Sequence, residues 1–475
     1  MASGFSDFSL TRRAFLTRQA GSLGSLALAH LLSQEGATAP RRETASLDPK
    51  RPHHRPRAKA VICLFQHGGP SQMDLFDPKP ELTKHQGKPY PGSLEIHFNA
   101  QKGNLLASPF KFQPRGQSGM VLSELLPHTA RIADDITLVR SMVTQSVDHE
   151  AALYMIHSGK TLASGRPSLG SWVLYGLGSP RQDLPAYVVL SDPGGLPIAG
   201  VSNWTAGFLP ALYQGTPFRA EGTPVANLQP PNDVSAPARR EQLRFLKELN
   251  EAHLRRHPDH SELQARLRNY ELAARMQTAA PAILDLSGES AATRRLYGLD
   301  QKETAEYGRR CLLARRLVEH GVRFVQIFLS GQPWDTHAKN AERLRSLCAR
   351  MDQPSAALVL DLKQRGLLDS TIVLWTGEFG RLPISQGGDG RDHNRHGFSL
   401  WLAGGGFKKG YTHGATDDFG YRAVRDVVRV PDLHATLLHA LGLDHERLTY
   451  PHEGREDSLT DANVSDAQVR HDLFV

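Results

Sequence analysis

An α/β fold with a mainly parallel central sheet is what this sequence predicts, and three observations carry the expectation. Between residues 303 and 406, helical patterns and apolar runs alternate: ETAEYGRRCLLARRLVEHG, VRFVQIFLSG, AERLRSLCARMDQPSAALVLDLKQRG, STIVLWTGEFGR and FSLWLAGGG. Alternation at this spacing marks βα units, whose crossovers leave neighbouring strands parallel. The strand-like runs are apolar at almost every position, as in strands covered on both faces. One more such run, AVICLFQHGG at 60–69, ends in two glycines, where a buried strand turns into a loop.

Taken in order, the chain opens with LTRRAFLTRQAGSLGSLALAHLL. Arg12 and Arg13 precede a moderately apolar stretch, 20–32, and ATA at 37–39 fits a small-residue cleavage site. Residues 1–39 are thus similar to a twin-arginine signal peptide. Export to the periplasm or another extracytoplasmic space is expected, with no transmembrane span after cleavage. PRRETASLDPKRPHHRPR, 40–57, reads as a basic, Pro-rich linker. Residues 58–475 read as the α/β domain. Within it, 123–142 suggests a helix then a strand, 149–161 a helix, and 184–192 a strand. Charged helical patterns over 236–285 predict two or three helices forming a cap insertion. The helical pattern of 341–366 contains Pro354 as a break. PDLHATLLHALGL, 431–443, predicts a helix with Asp432 at its N-cap and a Gly stop.

Composition narrows the function classes. The chain has 475 residues and a formal charge of +7, a mild excess that suits a solvated surface or an anionic substrate. No Lys/Arg stripe is interleaved with aromatics, which argues against nucleic acid. Three widely spaced cysteines make no disulfide framework. Cys63 and Cys311 are expected as small buried hydrophobes.

Ligand sites in open α/β sheets form beyond the carboxyl ends of strands, and four strands here carry polar residues at that point. The first is followed by His67, Ser71, Asp74 and Asp77. VRFVQIFLSG is followed by Asp335 and His337, and IVLWTG by Glu378 and Arg381. GGDGRDHNRHGF supplies Asp392, His393 and His396 just before FSLWLAGG. In an extended segment Asp335 and His337 project to one side, while Asp392 and His393 point apart, so one of that pair could bind a metal and the other orient it or bind a second ion. Carboxylates with imidazoles suit a divalent cation such as zinc or manganese, with calcium or magnesium as alternatives for oxygen-rich sites. His149 and His157, eight apart on a helical pattern, could reach the site from one face but are expected in structural roles, and the tail histidines His434, His439, His445 and His452 in surface or helix positions.

GGPSQMDLFDPKP, WDTH, TGEFGR, GRDHN, AGGGFKKGYTHGATD and DLHATLLHALGLD together resemble the exported protein-of-unknown-function family 1501, from about residue 60 to the C-terminus. That family is similar to the alkaline phosphatase and sulfatase superfamily. The resemblance implies a three-layer α/β/α sandwich with one or two metals at the strand ends. It implies Asp335, His337 and His393 as ligands of one metal, and Glu378 where related enzymes place a metal-binding Asp. Ser71 or Asp74 falls in the region of the nucleophile and the first acidic ligand. The Cys-x-Pro-x-Arg or Ser-x-Pro-x-Arg signature of sulfatases surrounds none of the cysteines, nor Ser71.

The expected activity is that of an exported metal-dependent hydrolase of phosphate or related sulfate esters, acting on a small molecule or a glycan. In that reading Ser71 is the nucleophile, or water attacks directly. Arg381 clamps developing charge, and Gly68 and Gly69 let backbone N–H groups approach the anion. The metal set is Asp335, His337, Glu378, Asp392, His393 and Asp74. The alternative is a non-catalytic metal- or glycan-binding protein on the same fold.

Overall fold

The computed structural model describes residues 46–162, 165–219, 235–256 and 261–475. The expected signal peptide, and residues 40–45 of the expected linker, lie outside the described residues. In the sheet that dominates the molecule, β1 is Ala60–Phe65, β2 Ile136–Val143, β3 Tyr187–Ser191 and β4 Thr216–Arg219. They are followed by β5 Phe324–Ile327, β6 Thr371–Thr376, β7 Phe398–Ala403, β8 Tyr411–His413 and β9 Val428–Arg429. The order across the sheet is β8-β2-β7-β6-β1-β5-β3-β4, with β9 also on β2. Every pair is parallel except those of β7, which runs antiparallel to β2 and β6.

Two consequences follow for the loops. All six residues of β1 are buried, as are all of β6. Burying each large apolar side chain contributes roughly 1.5–3 kcal/mol relative to leaving it in water, so these central strands hold the register. The parallel strands β1, β5, β6 and β2 deliver their exit loops to one edge. Because β7 is reversed, its entry loop, 392–397, arrives at that same edge.

Helices cover the sheet: α1 His149–Ser158, α2 Leu169–Leu177, α3 Ala236–Arg256, α4 Ser261–Leu284, α5 Ala305–Glu319, α6 Asn340–Gln364 and α7 Val430–Ala440. α1 begins where β2 ends. Asp148 caps it by accepting from the Ala151 N–H at 3.0 Å, and Gly159 closes it at φ 78°. α3 and α4 fall within the stretch 236–285 expected to be helical. They pack on one another, and α4 also packs on α5 and on the turn Ala211–Tyr213.

Several local expectations are corrected. Residues 123–135 form a short 3₁₀ turn, Thr129–Ile132, instead of a helix. Pro127 and the carboxylate of Asp352, which accepts from the N–H groups of His128 and Thr129, fix that turn. α6 runs unbroken through Pro354. Its buried face packs along α5 and outweighs the roughly 3 kcal/mol that an interior proline costs. Asp432 sits at the third position of α7, not the N-cap, and accepts from the Arg429 N–H at 3.0 Å in a capping box. Residues 46–57 are no free linker. They are laid on the domain through His54 N–H to Gly442 O, Arg57 N–H to Ala440 O and Lys50 N–H to Leu177 O.

The cysteines are free and buried, and burial pushes the Cys63 thiol up to about 12. Among the described residues, no helix is long and apolar enough to cross a membrane.

His157 and His434 are buried inside the core, and burial lowers them to about 3 and about 4. In the unfolded chain they titrate near 6.5. Below that pH the unfolded state binds protons that the folded state refuses. Stability is therefore full above pH ~6.5 and falls as pH drops toward 4, by up to about 1.4 kcal/mol per pH unit for each imidazole. Urea midpoints at pH 7.5, 6 and 5 check this, and His157→Phe should flatten the slope. An unchanged midpoint between pH 7.5 and 5 would contradict it.

Candidate metal centre

Three imidazoles meet one carboxylate oxygen at the strand ends. Asp335, in the loop after β5, places Oδ1 2.9 Å from His337 Nε2, 3.2 Å from His393 Nε2 and 3.4 Å from His149 Nε2. His393 Nε2 and His337 Nε2 lie 3.0 Å apart. Arg381, after β6, donates to the same Asp335 oxygen at 2.6 Å.

The other nitrogen of each ring decides the tautomers. His149 Nδ1 lies 2.7 Å from Glu378 Oε1, and His393 Nδ1 lies 2.6 Å from Val147 O. His337 Nδ1 is bonded to Gln386 Oε1. Each Nδ1 faces an acceptor, so each proton sits there and each Nε2 lone pair points at Asp335. Three lone pairs aimed at an anionic oxygen repel it unless a cation or extra protons intervene. Two buried atoms, His149 Nε2 and Glu378 Oε2, also lack a hydrogen-bond partner. The donor atoms of His149, Asp335 and His393 lie within 4.8 Å of one another, as do those of His337, Asp392 and His393. With Nδ1 of His393 committed to Val147, both groupings draw on its single Nε2, which favours one shared cation over two. These residues fit a divalent ion of the zinc type: imidazole nitrogens, one carboxylate, and an oxygen acceptor behind every ring.

Titration reflects the same crowding. Burial opposes the Asp335 charge, but with no cation between them, protonated His149, His337 and His393 and the charge of Arg381 hold its carboxyl far below the usual range. Burial also opposes charging His149, and the neighbouring carboxylates of Asp335 and Glu378 outweigh that and raise it in the same cation-free state. His393 is lowered to about 4, by burial first and then by the charges of Arg381 and His149.

The remaining expected residues also have hydrogen-bond partners of their own. Glu378 gives Oε1 to His149 and to the Gly68 N–H at 2.8 Å, so it orients a ring and pins the first loop. Asp392 accepts from the N–H groups of His97 and Phe98 through Oδ2, and from its own neighbour His393 through Oδ1. Ser71 is buried and donates to Asp74 at 2.6 Å. Asp74 in turn is fully buried against Arg391 and accepts from Asn340. Their side chains bond one another and none bonds an imidazole of the cluster. Burial opposes the Asp74 charge, but Arg391 holds its carboxyl below the usual range.

Arg381, also fully buried, spends its donors on Gly69 O, Arg391 O, Gly68 O, Trp334 O and Asp335. It stitches the loops together and has no free fork for substrate. Gly68 gives its N–H to Glu378, so it is no anion cradle. At φ 107°, a Cβ there would come within 2.4 Å of Asp335 N. Glycine is needed for the first loop to lie against 334–335.

His149, expected in a structural role, lies in the cluster instead, beside Asp335 and Glu378. The signal was present, because it follows β2 at a carboxyl end as Asp335 and Glu378 follow theirs. Gln386, which backs His337, carries no such signal, since its strand Ile384–Gln386 belongs to a small ribbon with Lys102–Leu105.

Residues 58–474 match the family described as protein of unknown function, DUF1501. The chain belongs to that family. No curated protein matches the chain. Among solved structures, the chain is similar to the lipoteichoic acid synthase LtaP from Listeria monocytogenes, at 9% identity over 82% of this chain and 74% of that one, with a TM-score of 0.34. The PsFucS1 sulfatase from Pseudoalteromonas sp. gives 13% identity, 82% and 69% coverage and a TM-score of 0.35. The phosphonate monoester hydrolase SpPMH from Silicibacter pomeroyi gives 11%, 87%, 78% and 0.33. Likeness this distant assigns neither substrate nor reaction to the DUF1501 chain.

Proposed function

We propose that this DUF1501 protein is an exported, metal-dependent hydrolase of phosphate or related anionic esters. The observation that supports the reading most is the convergence of three Nε2 lone pairs on Asp335, each ring backed by an acceptor at Nδ1. His149, Asp335, His337 and His393 would hold the ion. Bound there, a divalent cation supplies Lewis-acid polarisation of an ester oxygen and brings the pKa of a water toward 7. The chain's own residues do the rest. Glu378, Val147 O and Gln386 orient the rings. Arg381 fixes the Asp335 carboxylate and ties the exit loops of β1, β5 and β6 into one unit, so the donors are preorganised. Because Ser71 is buried and bonded to Asp74, the attacking oxygen in this proposal comes from water. Twin-arginine export, which carries folded proteins, accords with a metal acquired before transport.

Elemental analysis of purified protein should find about one zinc or manganese per chain. Turnover of an aryl phosphate, an aryl sulfate and a phosphodiester, with and without metal, identifies the ester class. No bound metal, together with no turnover of any of the three by folded, metal-supplemented protein, would overturn the reading. Glu378→Gln keeps the size of the orienting group and removes its charge. Metal affinity should fall about 10–100-fold, read by competition with a chromogenic chelator. Unchanged affinity would remove Glu378 from the centre.

A further inference from the structure

Phe98 stands at the mouth of this cluster with 42% of its surface exposed. A single exposed aromatic is ordinary on a protein surface. What sets this one apart is where it sits and how firmly it is held. Its ring stands perpendicular to that of His337, with centroids 5.1 Å apart, and lies 6.2 Å from His393. On its other side, His97 packs edge-on at 4.4 Å and itself stacks on His393 at 5.1 Å.

The backbone that carries the ring is anchored to the cluster. One oxygen of Asp392, the residue next to His393, accepts both the His97 N–H at 3.0 Å and the Phe98 N–H at 2.9 Å. Gln386 bonds His337 on one side and donates to Gln101 Oε1 at 2.8 Å on the other. Glu95 accepts from Arg395 at 2.8 Å and lies 2.7 Å from His396 Nε2. A loop tied at three points cannot readily fold its phenyl ring away, so an apolar surface is kept in water directly beside the imidazoles.

We propose that Phe98 is a substrate platform: the alcohol part of the anionic ester rests on its ring and therefore presents a flat apolar face, either an aryl ring or the C–H face of a sugar. The inference rests on the hydrolase reading for the place of the anion, which lies over the imidazole cluster while the alcohol part extends toward Phe98. It also gives Asp392 its task, that of a positioning residue which fixes the platform relative to the metal-binding ring beside it.

Calorimetry on metal-loaded protein tests this without turnover. Phenylphosphonate and methylphosphonate share the anion and differ in the flat apolar group. Phe98→Ala should bind phenylphosphonate about tenfold more weakly, the scale of one aromatic contact, and methylphosphonate as wild type does. Phe98→Trp should restore phenylphosphonate affinity. Equal losses for both phosphonates, or no loss for either, would overturn the platform alone. If wild type binds neither, the platform falls together with the hydrolase reading. If discrimination is seen but no ester is turned over, the hydrolase reading falls and the platform stands as a binding subsite.

Discussion

Asp335→Asn is expected to retain its fold and lose its metal. The amide keeps an oxygen for Arg381, which donates at 2.6 Å in the native site, but it removes the charge toward which three Nε2 atoms point at 2.9–3.4 Å. Metal content should fall from about one per chain to near zero after dialysis against a weak chelator. Turnover should fall at least about 10³-fold, because the Lewis-acid contribution is worth several kcal/mol and each 1.36 kcal/mol is a factor of ten. Elemental analysis, circular dichroism and steady-state rates on one preparation check all three parts. Full metal content in the variant would mean that Asp335 is only Arg381's counter-ion. The alanine variant is less informative, since it would leave the buried Arg381 guanidinium without the carboxylate acceptor and confound fold with function.

Asp74→Ala should do the opposite. Asp74 and Arg391 are both fully buried, and Arg391 reaches the carboxylate with two nitrogens at 2.8 and 3.2 Å. Truncating one member of such a pair strands a buried charge and costs about 3–5 kcal/mol. Ser71 and Asn340 lose an acceptor as well. Urea unfolding should show the loss, while the metal bound per folded chain stays unchanged. A variant of native stability that no longer binds metal would restore Asp74 to the ligand role expected from sequence.

The contrast between these two acids shows how much of the site was legible. Both follow apolar strands and both are near polar neighbours in the sequence. Asp335 could be singled out because His337 lies two residues on and a second histidine, His393, precedes another strand. Nothing in GGPSQMDLFDPKP reveals that Asp74 is claimed by Arg391, more than three hundred residues away. Arg381 was legible as a site residue but not in its task. A guanidinium beside a strand end serves equally as an anion clamp or as an internal stitch, and burial decides between them. His149 likewise follows a strand's carboxyl end, but its helical pattern serves a structural role as readily as a ligand's, and only the packing of its ring against Glu378 decides between them.

The sequence by itself determined the α/β class, the apolar strands at 60–65, 324–327 and 371–376, the glycine stops, and the gathering of acids and imidazoles at strand ends. These are local facts, written in periodicity and composition, and short-range sterics and burial enforce them. Only the tertiary structure decided the order of strands, the reversal of β7 that brings 392–397 to the common edge, and the partners of each buried charge. Those depend on which surfaces exclude water together. A carboxylate becomes a ligand, a counter-ion or a clamp according to neighbours that the chain supplies from distant positions.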